Sequence, residues 1–494
     1  MLIGGLDIGT TGCKLTLFNE EGKRIHKEYS DYPVMRSSGI HEVDAEAIFE
    51  GVKKVLRGTA GQYPKIAGIG VTSFGETFVM TDESGKPLRP AMLYTDPRGK
   101  EQCERLCKKI DPKKAAEISG VKPHEMYSLP KLMWIKENEP ELYAKAKHVF
   151  LMEDYIVFLL TGKAAIDYSL AARTMGFDIR KLCWSREIFD AAGIDADLLS
   201  KPVPAGTMAG TVTAEASHLT GLGTETKIVY ISHDQIAAAV GAGVFDSASA
   251  VDGAGTVECI TPVYDSVPDM EVMTRGNYAV VPYVIPGKYV CYAFSYTGGA
   301  LIKWCLDTIA KKEKEEAEQE KTTVNELLES RSESPTGLLV LPHFAGAATP
   351  YMDTGSKGAI LGLTEETTAA DIYRACMEGV AYEMLLNLEY LKDSGIHFQN
   401  LRATGGGAHS VEWMQMKADI LNMRITSLDI VDAGTVGSAM LTGIAIGCFE
   451  NLGQAADIMV HEAAVYSPDE EKHRRYMDIY KRYRKLYEAV RGLV

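Results

Sequence analysis

Two short stretches that combine aspartate, glycine and threonine, one in each half of the chain, constrain the fold most strongly. The first is DIGTTGCK (7–14), which directly follows the apolar start of the chain. The second is DGAGT (252–256), which follows a strand-like segment. Glycine lets a backbone approach an anion closely, and threonine hydroxyls and backbone N–H groups donate to phosphate oxygens. The pair therefore predicts one nucleotide held between two related domains.

A third glycine-rich turn, TGGGAHS (404–410), precedes a predicted helix at 411–421. A glycine run that opens a helix suits a flat ring or an anion at the helix N-terminus. None of the three turns has the spacing of a P-loop or of a dinucleotide-binding fingerprint. The sequence therefore supports neither a P-loop kinase nor a Rossmann dehydrogenase.

Strand-like and helical patterns alternate along the chain. Short apolar segments at 2–8 and 66–73 read as strands, and residues 44–57 have helical spacing with Asp44 as the expected N-cap. A strand–turn–helix unit follows at 227–243. The alternation predicts an α/β fold with a largely parallel sheet. Because 494 residues exceed one compact core, we expect two domains, 1–245 and 246–494.

Two segments of the second half have a simpler interpretation. Residues 306–334 are strongly charged and predict a solvated helix followed by a loop. Near the C-terminus, Ser467 is the expected cap of a helix, with Pro468 in its first position and Glu470 closing a capping box. One face of that helix is expected to be buried through Tyr476, Ile479, Tyr483 and Leu486.

The bulk composition excludes several classes of partner. The formal net charge of −15 argues against nucleic acid and anionic membranes. No run of about 18 uncharged apolar residues is present, so no membrane span is expected. Nine scattered cysteines form no disulfide framework and are typical of a reducing cytoplasm. We therefore expect a cytoplasmic protein whose partner is a small molecule.

Five further segments, taken with the opening turn, resemble the FGGY carbohydrate kinases of the actin/Hsp70-like ATPase superfamily. The resemblance covers essentially the whole chain, and one signature departs from the family pattern at Cys376, where a small or aliphatic residue is usual. The matching segments are YTDPRG (94–99), MYSLPKLMWIKEN (126–138), TGGALIKW (297–304), GAILGLTEETTAADIYRACMEG (358–379) and TGGGAHSVEWMQMKADIL (404–421).

The resemblance implies two ribonuclease-H-like (actin-like ATPase) domains that flank a catalytic cleft. ATP would lie mostly on the C-terminal domain, and the sugar or polyol, with the catalytic base, mostly on the N-terminal one. Family members are often dimers, so a homodimer is one expected assembly. The family's base falls at Asp234, which from the sequence alone also reads as a helix N-cap after the strand KIVYI. Capping and catalysis are compatible, because a helix start helps to hold the carboxylate.

Together, the residues and the resemblance give a set of candidate residues for binding Mg²⁺, ATP and the substrate. Asp7 and Asp234 are the expected Mg²⁺ ligands, directly or through water. Lys14 adds positive charge beside the phosphates or points to solvent. The expected ATP contacts are Gly9, Thr10, Thr11, Lys14, Gly255, Thr256, Gly299, Lys303, Gly405, Gly406, Gly407 and Ser410. The expected substrate contacts are Gly75, Glu76, Asp96, Met126, Asp234 and Gln235.

The substrate itself stays open at this point. Glycerol kinases carry Arg-Glu where this chain has Gly75-Glu76, and xylulokinases typically carry Met-His. Met126 stands where glycerol kinases have a polyol-contacting tyrosine, so both departures argue against glycerol. Glu76 either binds hydroxyls or is a buried ion-paired carboxylate, and Asp96 either lies at the pocket or braces the fold with Arg98. A ketopentose such as xylulose is the favoured substrate, with ribulose, erythritol, glycerol, or a non-catalytic ATP-binding role as alternatives.

Overall fold

The computed structural model describes residues 1–37, 39–430 and 432–493, which form two compact units. The first unit contains the described residues of 1–245 together with 279–290 and 432–460. The second contains those of 246–278, 291–430 and 461–493. The sequence assigns everything beyond residue 245 to the second domain, whereas 279–290 and 432–460 lie in the first unit.

Both units are built from strands and helices in alternation. The strands of the described residues are β1 (Leu2–Ile8), β2 (Gly12–Asn19), β3 (Arg24–Asp31), β4 (Val34–Ser37), β5 (Ile40–Val43), β6 (Gly68–Ser73), β7 (Phe78–Thr81), β8 (Ala91–Met92), β9 (His148–Leu151), β10 (Ala165–Asp167), β11 (Phe177–Asp178), β12 (Cys183–Trp184), β13 (Lys201–Val203), β14 (Met208–Thr211), β15 (Lys227–His233), β16 (Ser249–Ala254), β17 (Glu258–Tyr264), β18 (Val281–Pro282), β19 (Tyr289–Val290), β20 (Ala293–Ser295), β21 (Leu339–Leu341), β22 (Ala359–Leu361), β23 (Asn400–Thr404), β24 (Arg424–Leu428) and β25 (Glu462–Tyr466).

The α-helices of the same residues are α1 (Ala45–Gln62), α2 (Lys100–Lys109), α3 (Pro112–Ser119), α4 (Ser128–Asn138), α5 (Pro140–Lys145), α6 (Met152–Thr161), α7 (Tyr168–Ala172), α8 (Arg186–Ala192), α9 (Ala214–Thr220), α10 (Asp234–Gly241), α11 (Met270–Arg275), α12 (Gly299–Thr308), α13 (Lys311–Glu320), α14 (Val324–Glu329), α15 (Ala369–Asp393), α16 (Val411–Leu421), α17 (Ala433–Ala445), α18 (Leu452–Met459), α19 (Glu470–Tyr483) and α20 (Leu486–Val490). Short 3₁₀ turns occupy Ala196–Leu198 and Gly406–His409.

The main sheets of the two units have the same strand order. In the first unit the order is β3-β2-β1-β6-β15-β14, with β1, β6 and β15 parallel and the outer pairings antiparallel. In the second unit β20-β17-β16-β23-β24-β25 repeats that order and those directions. The α/β prediction is therefore confirmed, but the predicted largely parallel sheet is wrong, because only two of these five pairings in each unit are parallel. The two units are related by topology. Each Asp/Gly/Thr stretch lies at the first hairpin of its sheet.

Helix α17 joins the first unit because it approaches β1 and α10 at glycines. A Cβ at Gly5 of β1 would overlap the carbonyl oxygen of Thr435. A Cβ at Gly437 would overlap the carbonyl oxygen of Ala237 on α10 in the same way. Only hydrogen fits at these positions, so the helix backbone lies almost directly against its neighbours. The sequence analysis did not identify this helix.

Helix α1 confirms the prediction made from its spacing. The Asp44 side chain accepts a hydrogen bond from the Glu46 N–H at 2.9 Å and caps the helix. The buried residues Ile48, Val52 and Val55 belong to the apolar core beneath the sheet of the first unit. Helix α1 thus covers one face of that sheet, which leaves the hairpin ends of its strands available for a site.

The C-terminal helix starts two residues later than the sequence predicts. Asp469, not Ser467, is its cap, because the Asp469 carboxylate accepts from the Glu471 and Lys472 N–H groups at 2.9 and 3.0 Å. The carbonyl of Ser467 instead accepts a hydrogen bond from Gln415 at 2.8 Å. The predicted buried face is confirmed at Tyr476, Ile479, Tyr483 and Leu486. Among the described residues, no helix is both long and apolar enough to cross a membrane.

Candidate active site

The first Asp/Gly/Thr stretch forms the end of β1, a tight turn and the start of β2. The Gly9 N–H donates to the Gly12 carbonyl at 2.9 Å, which closes the turn. The Tyr32 hydroxyl donates to the Gly9 carbonyl and anchors the turn from the side. Thr10 is partly exposed and Thr11 is exposed, so both residues are accessible to a ligand. The turn has the geometry and the donors for an anion.

Lys14 lies between two carboxylates at the base of this turn. Its Nζ is 3.0 Å from Asp7 Oδ2 and 2.9 Å from Asp432 Oδ2. Burial raises the pKa of Asp7 to about 6, with Lys14 opposing the shift and the carboxylates of Asp234 and Asp432 adding to it. Lys14 therefore does not simply point to solvent. Sequence reasoning missed Asp432, the cap of α17, although DAGT at 432–435 repeats the Asp-x-Gly-Thr pattern of the first turn.

Asp234 is the first residue of α10, directly after strand β15. It is not the N-cap of the helix, which is His233. The backbone and side chain of Gln235 both donate to its carboxylate, and His233 Nε2 lies 3.4 Å from Asp234 Oδ1. Although 29% of the side chain stays exposed, the surrounding protein raises the pKa of Asp234 to about 6. Asp234 thus combines accessibility with a fixed orientation.

Glu76 forms a buried ion pair beside this carboxylate. Arg173 at the end of α7 donates from Nε to Glu76 Oε1 at 2.5 Å and also contacts that oxygen through Nη2. The arginine lies over the ring of Tyr127 at 5.3 Å. Both of these contacts are made to Oε1. Glu76 is therefore the buried ion-paired carboxylate that one interpretation predicted, and its binding of substrate hydroxyls stays a prediction.

The backbone around Glu76 explains why residue 75 is glycine. Glu76 has a φ of 61°, in the left-handed region that costs free energy for any residue with a side chain. A Cβ at Gly75 would lie 3.0 Å from His233 Cδ2 and 3.1 Å from Arg173 Cγ. The space above residue 75 is thus occupied by two side chains from other elements. Nothing in the sequence pattern pointed to Arg173, His233 or Tyr127 as neighbours of this position.

Asp96 and Met126 are placed differently from each other. The Asp96 side chain has no exposed surface, and its two oxygens accept hydrogen bonds from the N–H of His41, the N–H of Arg98 and the Arg98 guanidinium. A carboxylate has about four acceptor positions, and all of them are used here. Asp96 therefore braces the fold, and we leave it out of the proposed site. Met126 is partly exposed and precedes the buried Tyr127.

The second unit contains a cavity of about 350 Å³ where several predicted ATP contacts meet. The predicted residues that line it are Gly299, Lys303, Gly406, Gly407 and Ser410. Gly255 adjoins it through its carbonyl, which accepts from the Gly299 N–H at 2.8 Å. Thr256 and Gly405 do not line the cavity. Gly405 packs against the second turn instead, since a Cβ at this position would overlap the carbonyl oxygen of Ala254.

Part of the charged segment also lines this cavity. Helix α13 confirms the predicted solvated helix, but the predicted loop after it is wrong in part, because it contains helix α14. Asp307, Lys314 and Asn325 contribute to the cavity wall. The opposite walls include Tyr373 of α15 and Trp413 of α16. The cavity thus offers glycine backbone, aromatic rings and a few charged groups, which suits a purine and its ribose. No sequence pattern indicated Lys314 or Asn325 as part of this cavity.

The aspartate of the second turn has a different environment from Asp7. Asp252 is buried and accepts from Lys417 Nζ of α16 at 2.8 Å. The same ammonium group contacts Glu258 of β17 and lies 4.8 Å from the ring of Trp413. Burial raises the pKa of Glu258 well above its ordinary value. This triad ties the second turn to the helix that begins at Ser410.

The comparison with protein families decides the identity of the chain. Residues 2–241 match the N-terminal domain of the FGGY family of carbohydrate kinases, and residues 256–446 match its C-terminal domain. The chain belongs to the FGGY family of carbohydrate kinases. It is therefore a phosphotransferase that uses ATP as the phosphoryl donor and an alcohol group of a sugar or polyol as the acceptor.

Individual FGGY relatives match over the whole length. The chain is 28% identical over 497 residues to a xylulose kinase of Bacillus subtilis (strain 168), with 99% of this chain and 97% of the relative covered. It is 30% identical over 494 residues to a glycerol kinase of Halorhodospira halophila (strain DSM 244 / SL1), covering 95% and 94%. The fold is similar to that of a ligand-bound xylulose kinase from Lactobacillus acidophilus, with a TM-score of 0.89, 23% identity, and 99% and 98% coverage.

A magnesium ion fits the chemistry of the carboxylates in the first unit of this FGGY kinase. The structure contains no group of three or more potential metal ligands among its described residues. Mg²⁺ does not need one, since it keeps several waters and uses one or two carboxylates plus phosphate oxygens. Asp7 and Asp234 are near enough for the charge of Asp234 to raise the pKa of Asp7. This accumulation of negative charge, opposed mainly by Lys14, is what a divalent cation would balance.

Proposed function

We propose that this protein phosphorylates a hydroxyl of a ketopentose, with xylulose as the favoured substrate and Asp234 as the general base. The observation that carries the proposal is the position of Asp234. It lies at the N-terminus of α10, with His233 packed over Gly75 beside the Glu76–Arg173 pair. On its other side it interacts electrostatically with Asp7 and Lys14 of the first turn. A base between a hydroxyl-binding pair and a phosphate turn is what transfer from ATP requires.

The chemical step uses few groups. The Asp234 carboxylate accepts the proton of the substrate hydroxyl as that oxygen attacks the γ-phosphorus in line. Such a base contributes about 10²–10⁴-fold to the rate. Gln235 donates to Asp234 and holds the carboxylate in one orientation. Glu76 Oε2 accepts hydrogen bonds from substrate hydroxyls, while Arg173 fixes the glutamate through Oε1.

Different residues are proposed to bind the phosphates and the nucleoside of ATP. Gly9, Thr10 and Thr11 donate to phosphate oxygens at the first turn, where Lys14 adds positive charge. Mg²⁺, held by Asp7 and Asp234 through oxygen or water, would neutralise charge on the phosphates. Gly255 and Thr256 contribute at the second turn. The cavity of the second unit takes adenosine through the residues Gly299, Lys303, Gly406, Gly407 and Ser410, and Gly405 supports the turn beside it.

The shape of the sugar site favours a ketose over glycerol. An arginine side chain at position 75, as in glycerol kinases, would run into His233 and Arg173. The site therefore lacks that donor in the segment after β6, and Arg173, which directly follows α7, supplies positive charge instead. The names of the relatives leave both xylulose and glycerol open, so ribulose, erythritol and glycerol remain alternative substrates. The nine cysteines all lie within the described residues and form no disulfide, which supports our assignment to the cytoplasm.

The test is a screen for ADP release over pentuloses, polyols and hexuloses with Mg·ATP. We expect one substrate class to stand out, and Asp234→Asn to reduce its turnover by at least about 10²-fold. Asp96→Asn is the matched control, because it changes a buried carboxylate of the brace without touching the base. Phosphorus NMR of the product identifies the hydroxyl that reacts. Full turnover in Asp234→Asn, or no response to any sugar or polyol, would refute the proposal.

A further inference from the structure

Strand β15 leaves its regular pairing just before Asp234. Its residues pair with β6 in register up to Tyr230, which lies opposite Val71. The next paired position joins His233 to Ser73, so two residues of β15 face the single Thr72 of β6. This is a β-bulge, which re-aims the following side chains and leaves backbone groups without ladder partners. The direction of Asp234 therefore depends on how the bulge is held.

Three side chains from three different elements satisfy the backbone of this bulge. Glu153 Oε1 of α6 accepts from the Ile231 N–H at 2.7 Å. Thr72 Oγ1 of β6 donates to the Ser232 carbonyl at 2.5 Å. Ser169 Oγ of α7 accepts from the His233 N–H at 2.8 Å. Because the two bulge residues and His233 after them each have their own side-chain partner, the backbone that carries Asp234 has little freedom.

The partners are also tied to one another. The Ser169 hydroxyl donates to Asp167 Oδ1 at 2.5 Å, and the same oxygen accepts from the Ser169 N–H at 2.7 Å. The Asp167 N–H donates to Glu153 Oε2 at 3.4 Å. The Glu153 N–H in turn bonds Ser73 Oγ at 3.1 Å, opposite the end of the bulge. All of these residues are buried, and hydrogen bonds in a buried environment are stronger than those at the surface.

The burial and pKa shifts of Glu153 and Asp167 fit a structural role in this hydrogen-bonded network rather than proton transfer to the substrate. Burial raises the pKa of Glu153 well above its ordinary value and raises that of Asp167 to about 6. Asp167 Oδ1 remains the acceptor for both the N–H and the hydroxyl group of Ser169. Both carboxyl groups are buried and accept from backbone N–H groups, Glu153 from Ile231 and Asp167 from Ser169 and Leu170. Asp167 also lines a cavity of about 310 Å³.

We propose that Glu153, Thr72 and Ser169 are positioning residues that clamp the bulge and thereby fix the direction of the Asp234 carboxylate. This inference rests on the proposed role of Asp234 as the base. Loosening the clamp displaces the carboxylate from the attacking hydroxyl without removing any substrate contact. A displacement of about 1 Å costs on the order of 10²-fold in rate. The loss therefore falls on kcat, and KM for the sugar and for ATP changes little.

The experiment measures kcat and both KM values, with thermal stability recorded for each variant. Ser169→Ala removes the acceptor of the His233 N–H, and Ser169→Thr restores a hydroxyl. Ser200→Ala is the matched control: it deletes a buried hydroxyl that donates at 2.6 Å to Asp154, the neighbour of Glu153 on α6, and does not reach the bulge. We expect kcat to fall about 10–100-fold in Ser169→Ala, to recover in Ser169→Thr, and to stay at the wild-type level in Ser200→Ala.

A second pair of variants keeps the test decisive if Ser169→Ala does not fold. Glu153→Gln keeps an acceptor for the Ile231 N–H and is expected to retain most of kcat, whereas Glu153→Met fills the space without an acceptor and is expected to lose it. Equal kcat losses in Ser169→Ala and Ser200→Ala, or equal kcat in the two Glu153 variants, would overturn the clamp. Asp234→Asn separates the two proposals: if it is inactive while Ser169→Ala is unimpaired, the clamp alone fails, and if it is active, the base assignment fails.

Discussion

Removal of the Lys417 ammonium group tests the energetics of the second unit most directly. Lys417 is 1% exposed and lies between Asp252 and Glu258, which are equally buried. Lys417→Met keeps the length and the apolar stem but deletes the charge. Breaking a buried ion pair by removing one partner costs about 3–5 kcal/mol, because a charge is left buried without compensation. We expect a loss of stability of this size in the second unit.

The magnitude depends on how many charges remain after the substitution. The raised pKa of Glu258 means that this group can take up a proton and become neutral. One uncompensated carboxylate, Asp252, is then left rather than two. The loss therefore stays near 3–5 kcal/mol instead of doubling. For a unit of about 200 residues, each kcal/mol corresponds to roughly 2–4 °C, which gives a decrease in Tm of about 6–20 °C.

Differential scanning calorimetry of the full chain resolves this shift. Lys303→Met is the control, because Lys303 pairs with Asp307 at 2.5 Å on the surface with 77% of its side chain exposed. Surface pairs contribute about 0–1 kcal/mol, so this variant should melt near the wild type. Adding Asp252→Asn to Lys417→Met should recover much of the loss. Equal Tm values for the Lys417 and Lys303 variants would refute the reasoning.

Three further outcomes follow from single positions in the first unit. Gly437→Val places a side chain against a backbone carbonyl of α10 and should cost about 1–3 kcal/mol by calorimetry, whereas Gly61→Ala, with open space around it, should be neutral. Gly75→Arg should raise KM for the sugar about tenfold or more, with KM for ATP unchanged in steady-state assays. Burial raises the pKa of Asp154 in the folded state above its value in the unfolded state, which is about 4. As the pH rises above that value, the unfolded state loses this proton more readily than the folded state, so the free energy of unfolding decreases. Asp154→Asn, which keeps an acceptor for Ser200, should therefore gain Tm relative to the wild type at pH 8 and not at pH 4.

The sequence predicted those parts of the fold and the site that depend on residues close together in the chain. The cap at Asp44, the strand before Asp234 and the helix after Ser410 all follow from side-chain chemistry within a few residues. The cavity lining at Gly406 and Ser410 follows from a glycine run before a helix. These features need no knowledge of distant contacts, since capping and backbone approach act over one or two turns.

Groups that enter the site from elsewhere in the chain were not predictable in this way. Arg173 reaches Glu76 across 97 positions of sequence, and no periodicity marks it. Asp432 reaches Lys14 only because α17 lies directly on β1, which depends on glycines in both elements. The bulge in β15 is set by partners on α6, α7 and β6. Such contacts are properties of the packed tertiary structure and leave no local signal.

The two Asp/Gly/Thr turns show why a repeated motif does not guarantee a repeated role. Asp7 and Asp252 occupy equivalent strands of sheets with the same order, and both are paired to a lysine. The lysine of Asp7 comes from the adjacent strand and remains 29% exposed, so the carboxylate can still meet a metal or phosphate. The lysine of Asp252 comes from α16 and closes the group off, since both side chains are 1% exposed. The aspartate of the first turn thus stays partly accessible for the role that we propose, whereas the aspartate of the second turn holds its loop to α16, which lines the cavity of the second unit.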